Sequence, residues 1–114
     1  MTIALVRKLN HDGLTIVAAS NFPDLEEPGK IGRHSPDVIA MDNEETIHFG
    51  ESKVYENLDT EKTKEQFLDF LNHVGGNGKQ SHLHIIVDKQ YEEYLKELLK
   101  TWRMISKRIH IWTY

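Results

Sequence analysis

Apolar residues recur along this chain in two alternating rhythms, one helical and one extended. In residues 2–10, Ile3, Val6 and Leu9 fall three apart, as on one face of a helix, and Asp12-Gly13 stops the run. Residues 14–19 (LTIVAA) form a short β-branched stretch of strand length. Residues 21–35 mix Pro23, Pro28, Gly29 and Gly32 with charges and read as a long exposed loop, a length often tied to function. Val38-Ile39-Ala40-Met41 is a second strand, Asp42-Asn43-Glu44 is turn material, and residues 46–53 (TIHFGESK) are a third. Their closeness implies an antiparallel hairpin.

From Asp59 the rhythm becomes helical. Phe67, Leu68, Phe70, Leu71 and Val74 share a face, Asp59 or Thr60 serves as N-cap, and Gly75-Gly76 ends the helix. His82–Val87 is a fourth strand, residues 91–102 are an amphipathic helix and residues 109–112 alternate as a last strand. The order is αβββαβαβ. Strand–helix–strand crossovers pair strands in parallel and the hairpin pairs them antiparallel, so the expectation is one α/β sandwich with a mixed sheet over residues 1–114.

Composition narrows the function classes. The 114 residues suffice for one domain, and the 39% hydrophobic and 28% charged shares are those of a globular protein. No apolar run approaches the roughly 18–20 residues that span a bilayer, and the N-terminus lacks a signal-peptide pattern. The absence of cysteine excludes disulfides and thiolate zinc sites and fits a cytoplasmic protein. A net charge of −4 speaks against binding nucleic acid by bulk attraction. Local positive charge is expected instead from Lys30, Arg33, Lys53, Lys62 and Lys64 and from the basic stretch 100–108.

The hairpin carries the chemistry. Asp37 opens one strand, and Glu51 and Lys53 close the next, so antiparallel pairing brings all three to one edge. Residues two apart share a face, so Glu51 and Lys53 project together. Two carboxylates suit Mg²⁺ or Mn²⁺, which bind one or two carboxylates with water and substrate phosphate. The ammonium suits an attacking water or the charge that develops on phosphorus. Ser52 faces the other way and has a backbone carbonyl to offer a metal. Taken singly, Asp37 also reads as a turn aspartate and Glu51–Lys53 as an edge-strand ion pair.

Pro36-Asp37 followed by Glu51-Ser52-Lys53 resembles the PD…ExK signature of the PD-(D/E)XK nuclease superfamily. The run Gly32-Arg33-His34-Ser35-Pro36-Asp37 is similar to the Gly-x-His-x-Pro-Asp approach of some small members. The resemblance spans most of the chain. It implies a restriction-endonuclease-like three-layer sandwich and metal-dependent hydrolysis of DNA, branched or foreign, by Asp37, Glu51 and Lys53. It also implies a site role for Gln66, because members often carry a polar residue on the helix after the ExK strand. Arg33 and His34 are candidate substrate contacts. Many members carry a Glu on the first helix, and residues 1–10 contain no acid. That departure opens the alternative of a nuclease fold that no longer cuts and serves as a binding or assembly subunit.

Other features carry less. His82 and His84 share a strand face, but spacing supplies no third zinc ligand. Gly75-Gly76-Asn77-Gly78-Lys79 lacks the phosphate-loop pattern and lies between helix and strand, as a flexible loop would. Tyr91, Tyr94 and Trp102 read as core or interface residues. The 91–102 helix and Trp112 read equally as core or as a homodimer contact, the arrangement by which many small nucleases address two strands.

Overall fold

Every strand proposed from the periodicity forms, and a computed structural model describes residues 1–114. The first helix, α1, is Thr2–His11, followed by β1 (Thr15–Ala19), β2 (Val38–Met41) and β3 (Ile47–Ser52). A short helix α2 (Tyr55–Leu58), unforeseen in the sequence, precedes α3 (Glu61–Asn72). Then come β4 (His82–Val87), a 3-10 turn (Lys89–Tyr91), α4 (Glu92–Thr101) and β5 (Ile109–Thr113). The sheet runs β1-β2-β3-β4-β5. The pairs β1–β2 and β2–β3 are antiparallel, and β3–β4 and β4–β5 are parallel.

The two parallel steps move the same way across the sheet, so crossovers of one hand place α3 and α4 on one face. Phe67, Phe70 and Leu71 of α3 and Leu95, Leu98 and Leu99 of α4 pack there with Phe49, Leu83, Ile85 and Val87. Of the two readings of the apolar face of α4, core or dimer contact, the core one is seen, and Trp102 packs edge-on against Phe67. Helix α1 covers the opposite face over β1–β3. It does so with Leu5, Val6 and Leu9, while Ile3, expected on that face, is 57% exposed.

Local chemistry sets the boundaries. Thr60 is the α3 N-cap, its hydroxyl accepting from the Thr63 amide at 3.1 Å. The helix stops at His73, which is extended, and not at Gly75-Gly76. The glycine-rich stretch is tied down rather than free: Asn77 donates to the Glu44 carbonyl and to the Thr46 hydroxyl. The 21–35 loop is likewise pinned, because Arg33 binds Asp69 and Glu65 on α3 and His34 lies 3.4 Å from Glu65. Gly32 makes this possible with φ +64 and with Asp69 side-chain atoms 3.0 Å from where a Cβ would stand.

Beyond α1, the same face of β3–β5 carries a ladder of histidines. His48, His82, His84 and His110 stand on three neighbouring strands, with rings stacked at 4.6 Å (His48–His82) and 4.5 Å (His84–His110). The Trp112 indole donates to His84 Nδ1 at 2.9 Å, so the His84 proton sits on Nε2. It is donated to His48 Nδ1 at 2.8 Å, and His48 Nε2 in turn donates to Asp42 at 3.0 Å. Every member of that chain is satisfied with neutral rings. Burial, then the neighbouring His110, His48 and His82, hold the His84 pKa down at about 2.

Gly50 sets how closely α1 approaches the sheet. A Cβ there would lie 2.8 Å from Leu5 Cδ2 and 3.1 Å from Val38 Cβ, both fully buried residues. Gly50→Ala is therefore expected to lower stability by about 1–3 kcal/mol through overpacking. A urea titration followed by far-UV circular dichroism measures it, and an unchanged midpoint would show that α1 gives way freely.

Candidate active site

The hairpin register decides where the acids meet. Val38 pairs with Gly50, which sets Asp37 against Glu51 one step on. The Asp37 amide donates to the Gly50 carbonyl at 3.1 Å, extending the ladder past the end of β2. Its carboxylate then accepts the Ser52 amide at 2.8 Å, so a side chain takes over where backbone pairing stops. The Ser52 amide is thus tied to Asp37, an attachment that the sequence, which offered only the Ser52 carbonyl, did not show. On the other side of β3, the Lys53 amide donates to the Ile86 carbonyl at 3.1 Å and continues the parallel pairing.

Glu51 faces the α3 side of the sheet, in the same column as Phe49, and is only 2% exposed. Its Oε1 is buried and has no hydrogen-bond partner. Burial, reinforced by the adjacent Asp37 carboxyl, pushes its pKa up to about 9, with Lys53 pulling the other way. Burial also lowers the Lys53 ammonium, which Glu51 and Asp37 partly restore and Lys62 lowers further. Lys53 Nζ donates to Gln66 Oε1 on α3, and Gln66 is itself buried. Asp37, Glu51, Lys53 and Gln66 therefore form one contiguous group, and Lys62 adds positive charge beside it.

The wider basic residues distribute otherwise. Arg33 and His34 face acids of α3, holding the loop in place. The 100–108 stretch precedes β5, so it lies at the opposite end of the parallel strands from Lys53. Within it, Lys100 pairs with Glu97, and Arg108 donates to the Leu71 and Ser81 carbonyls. Its expected contribution of positive charge to the site is not realised. No cluster of three or more His, Asp or Glu side chains is arranged to hold a metal ion. The Asp37–Glu51 pair nonetheless has the donor chemistry of a two-carboxylate cation site, with one oxygen left orphaned.

Asp37 sits at the carboxyl end of no parallel strand, but Lys53, Asp88 and Tyr114 each directly follow one: β3, β4 and β5. These three residues line one cavity of about 170 Å³, together with Val54, Tyr55, Glu56 and Tyr91. In open α/β sheets that edge is where ligands bind. Larger hollows, of about 490 and 260 Å³, lie at α1–β1 and α4–β5 and touch none of Asp37, Glu51 and Lys53. Nothing in the sequence pointed to this cavity, because its walls come from three strand ends that only the parallel register aligns.

No family model matches the chain, and no curated protein or solved structure matches it either. No helix is long and apolar enough to cross a membrane. The functional reading therefore stands on the site alone.

Between pH 4.5 and about 9 the folded chain holds a proton on Glu51 that the unfolded chain has released. Each rise in pH through that window therefore favours unfolding. Glu51→Gln removes this cost and is expected to stabilise the protein at pH 8 by on the order of 2 kcal/mol, the gain shrinking towards pH 4.5. Thermal melts across that range read it. A variant less stable than wild type at every pH would mean that Glu51 is charged and paired in the fold.

Proposed function

We propose that this protein is a metal-dependent nuclease of the PD-(D/E)XK type that hydrolyses phosphodiester bonds in DNA. The observation that carries the reading is the convergence, across one β-hairpin, of Asp37, a buried and partly unpartnered Glu51, and Lys53. The mixed five-strand sheet between α1 and α3–α4 suits the restriction-endonuclease-like sandwich that the motif implies.

In this reading Asp37 and Glu51 would hold Mg²⁺ or Mn²⁺, with the Ser52 carbonyl as a further candidate ligand. A cation held by these two carboxylates would supply polarisation of the phosphate and a lowered pKa for a bound water. Glu51, with its buried Oε1 unpartnered, would give up its proton to serve as a ligand. Lys53 Nζ assists the attacking water, and its lowered pKa places it closer to the range in which an amine exchanges protons near neutrality. Gln66 acts through Lys53, fixing the direction of Nζ by its carbonyl oxygen. Water adds to phosphorus, the bond from phosphorus to the leaving deoxyribose oxygen breaks, and the leaving oxygen takes up a proton.

A second reading, a nuclease-type fold that binds without cutting, draws on the absence of any acid in the first turn of α1. The two separate in one assay. Purified protein with Mn²⁺ or Mg²⁺ is expected to cut duplex, branched or single-stranded DNA, and Asp37→Ala and Lys53→Ala to lose on the order of 100-fold or more of that rate. Cation binding at this site without any cutting supports the binding subunit. Cutting that survives in Asp37→Ala contradicts the assignment of the site.

A further inference from the structure

The cavity beside Lys53 is walled by tyrosines that the hydrolytic chemistry does not use. Tyr55, on α2, is 49% exposed. Its ring lies 4.9 Å from Tyr91 and 5.4 Å from Tyr94, tilted by 32° and 37°, so the three rings form a braced aromatic shelf. Tyr114, 42% exposed, faces the same cavity at the end of β5. A side chain held by two other rings and open on its free side is a surface on which a flat ligand stacks at little cost in side-chain entropy.

Charge divides this region in two. Lys53 and the nearby Lys62 mark the part that attracts phosphate. Glu56 and Asp88 on the cavity wall repel it. Asp88 has one oxygen engaged by the Gln90 amide at 3.0 Å, and no bond to its other oxygen is formed. Carboxylates accept hydrogen bonds from the amino and imino groups of bases, and tyrosine rings stack on base faces. The cavity, at about 170 Å³, falls below the roughly 300–1,000 Å³ of pockets for drug-sized ligands and suits a single ring system.

We infer that the cavity of Tyr55, Tyr91, Tyr114 and Asp88 is a subsite for one unpaired nucleobase of a DNA strand whose neighbouring phosphate lies at Lys53. The inference rests on the nuclease reading for the placement of the phosphate, and it deepens that reading by naming the substrate class: DNA with an unstacked nucleotide beside the scissile bond. A base inside an intact duplex is stacked on both faces and cannot enter the shelf without being extruded. Single strands, flaps and bulges present such a base directly.

The test measures binding and cutting separately. Fluorescently labelled oligonucleotides, one single-stranded, one fully paired and one paired with a short flap, are titrated with wild type, Tyr55→Ala, Tyr55→Phe and Asp37→Ala. Ca²⁺ serves for binding, and Mn²⁺ for cutting. Tyr55 is half-exposed on a short helix, and thermal melts compare the folding of the four proteins. Wild type is expected to bind the flap and the single strand more tightly than the duplex. Tyr55→Ala is expected to lose roughly tenfold or more of the affinity for the unpaired substrates, and Tyr55→Phe to keep it. Equal single-strand affinity in wild type and folded Tyr55→Ala overturns the subsite, even where cutting depends on Asp37. Tyr55-dependent binding without any Asp37-dependent cutting supports the subsite and removes the nuclease reading instead. A wild type that binds none of the oligonucleotides overturns the subsite as well.

Discussion

The pairing of Asp37 with the end of β3 is the interaction on which the rest of the site depends. Its amide donates to Gly50 and its carboxylate accepts from Ser52, so one residue is held by backbone and side chain together. That double attachment sets Asp37 opposite Glu51 and turns both carboxyls towards α3. A slip of β2 by one residue would send Asp37 to the α1 face while Glu51 stayed on the α3 face, since side chains alternate strictly along a strand. Gly50 secures the same register from the other face by letting Leu5 approach where a Cβ would stand. The packing of α1 and the chemistry of the hairpin are therefore parts of one arrangement.

The two faces of the sheet treat buried polarity in opposite ways. On the α1 face, Trp112, His84, His48 and Asp42 hand hydrogen bonds along in one direction, and each ring nitrogen in the chain is accounted for. A network satisfied in that manner holds strands together and asks for no further ligand. On the α3 face, Glu51 retains a buried oxygen without a partner and a pKa raised to about 9. Buried unsatisfied polar atoms are uncommon because each costs free energy, and those that persist are concentrated where function needs them. The contrast within one small sheet supports placing the chemistry at the hairpin and not at the more numerous histidines.

Much of this was legible in the sequence, for reasons that separate local from non-local information. The strand pattern at 38–41 and 46–53, with a polar turn between, implies the hairpin, and the hairpin implies the meeting of Asp37, Glu51 and Lys53. Thr60 was readable as an N-cap by residue type. The histidine ladder was not readable, because His48, His82, His84 and His110 meet only through the parallel registers β3–β4 and β4–β5. No local pattern specifies those. The same holds for the cavity formed by Lys53, Asp88 and Tyr114. Helix α2 has only four residues, too few for periodicity to reveal it. The ion pairs of Arg33 were hidden for a related reason: its partners, Glu65 and Asp69, lie on a helix more than thirty residues away.

The central claim is that a divalent cation is held by Asp37 and Glu51, and the most direct measurement is of where that cation sits. Substoichiometric Mn²⁺ added to isotopically labelled protein broadens amide signals in proportion to their closeness to the ion. Broadening centred on Asp37, Glu51, Ser52 and Lys53, and abolished in Asp37→Ala, is the predicted result. Broadening centred on His82 and His110, or none at all, would contradict it.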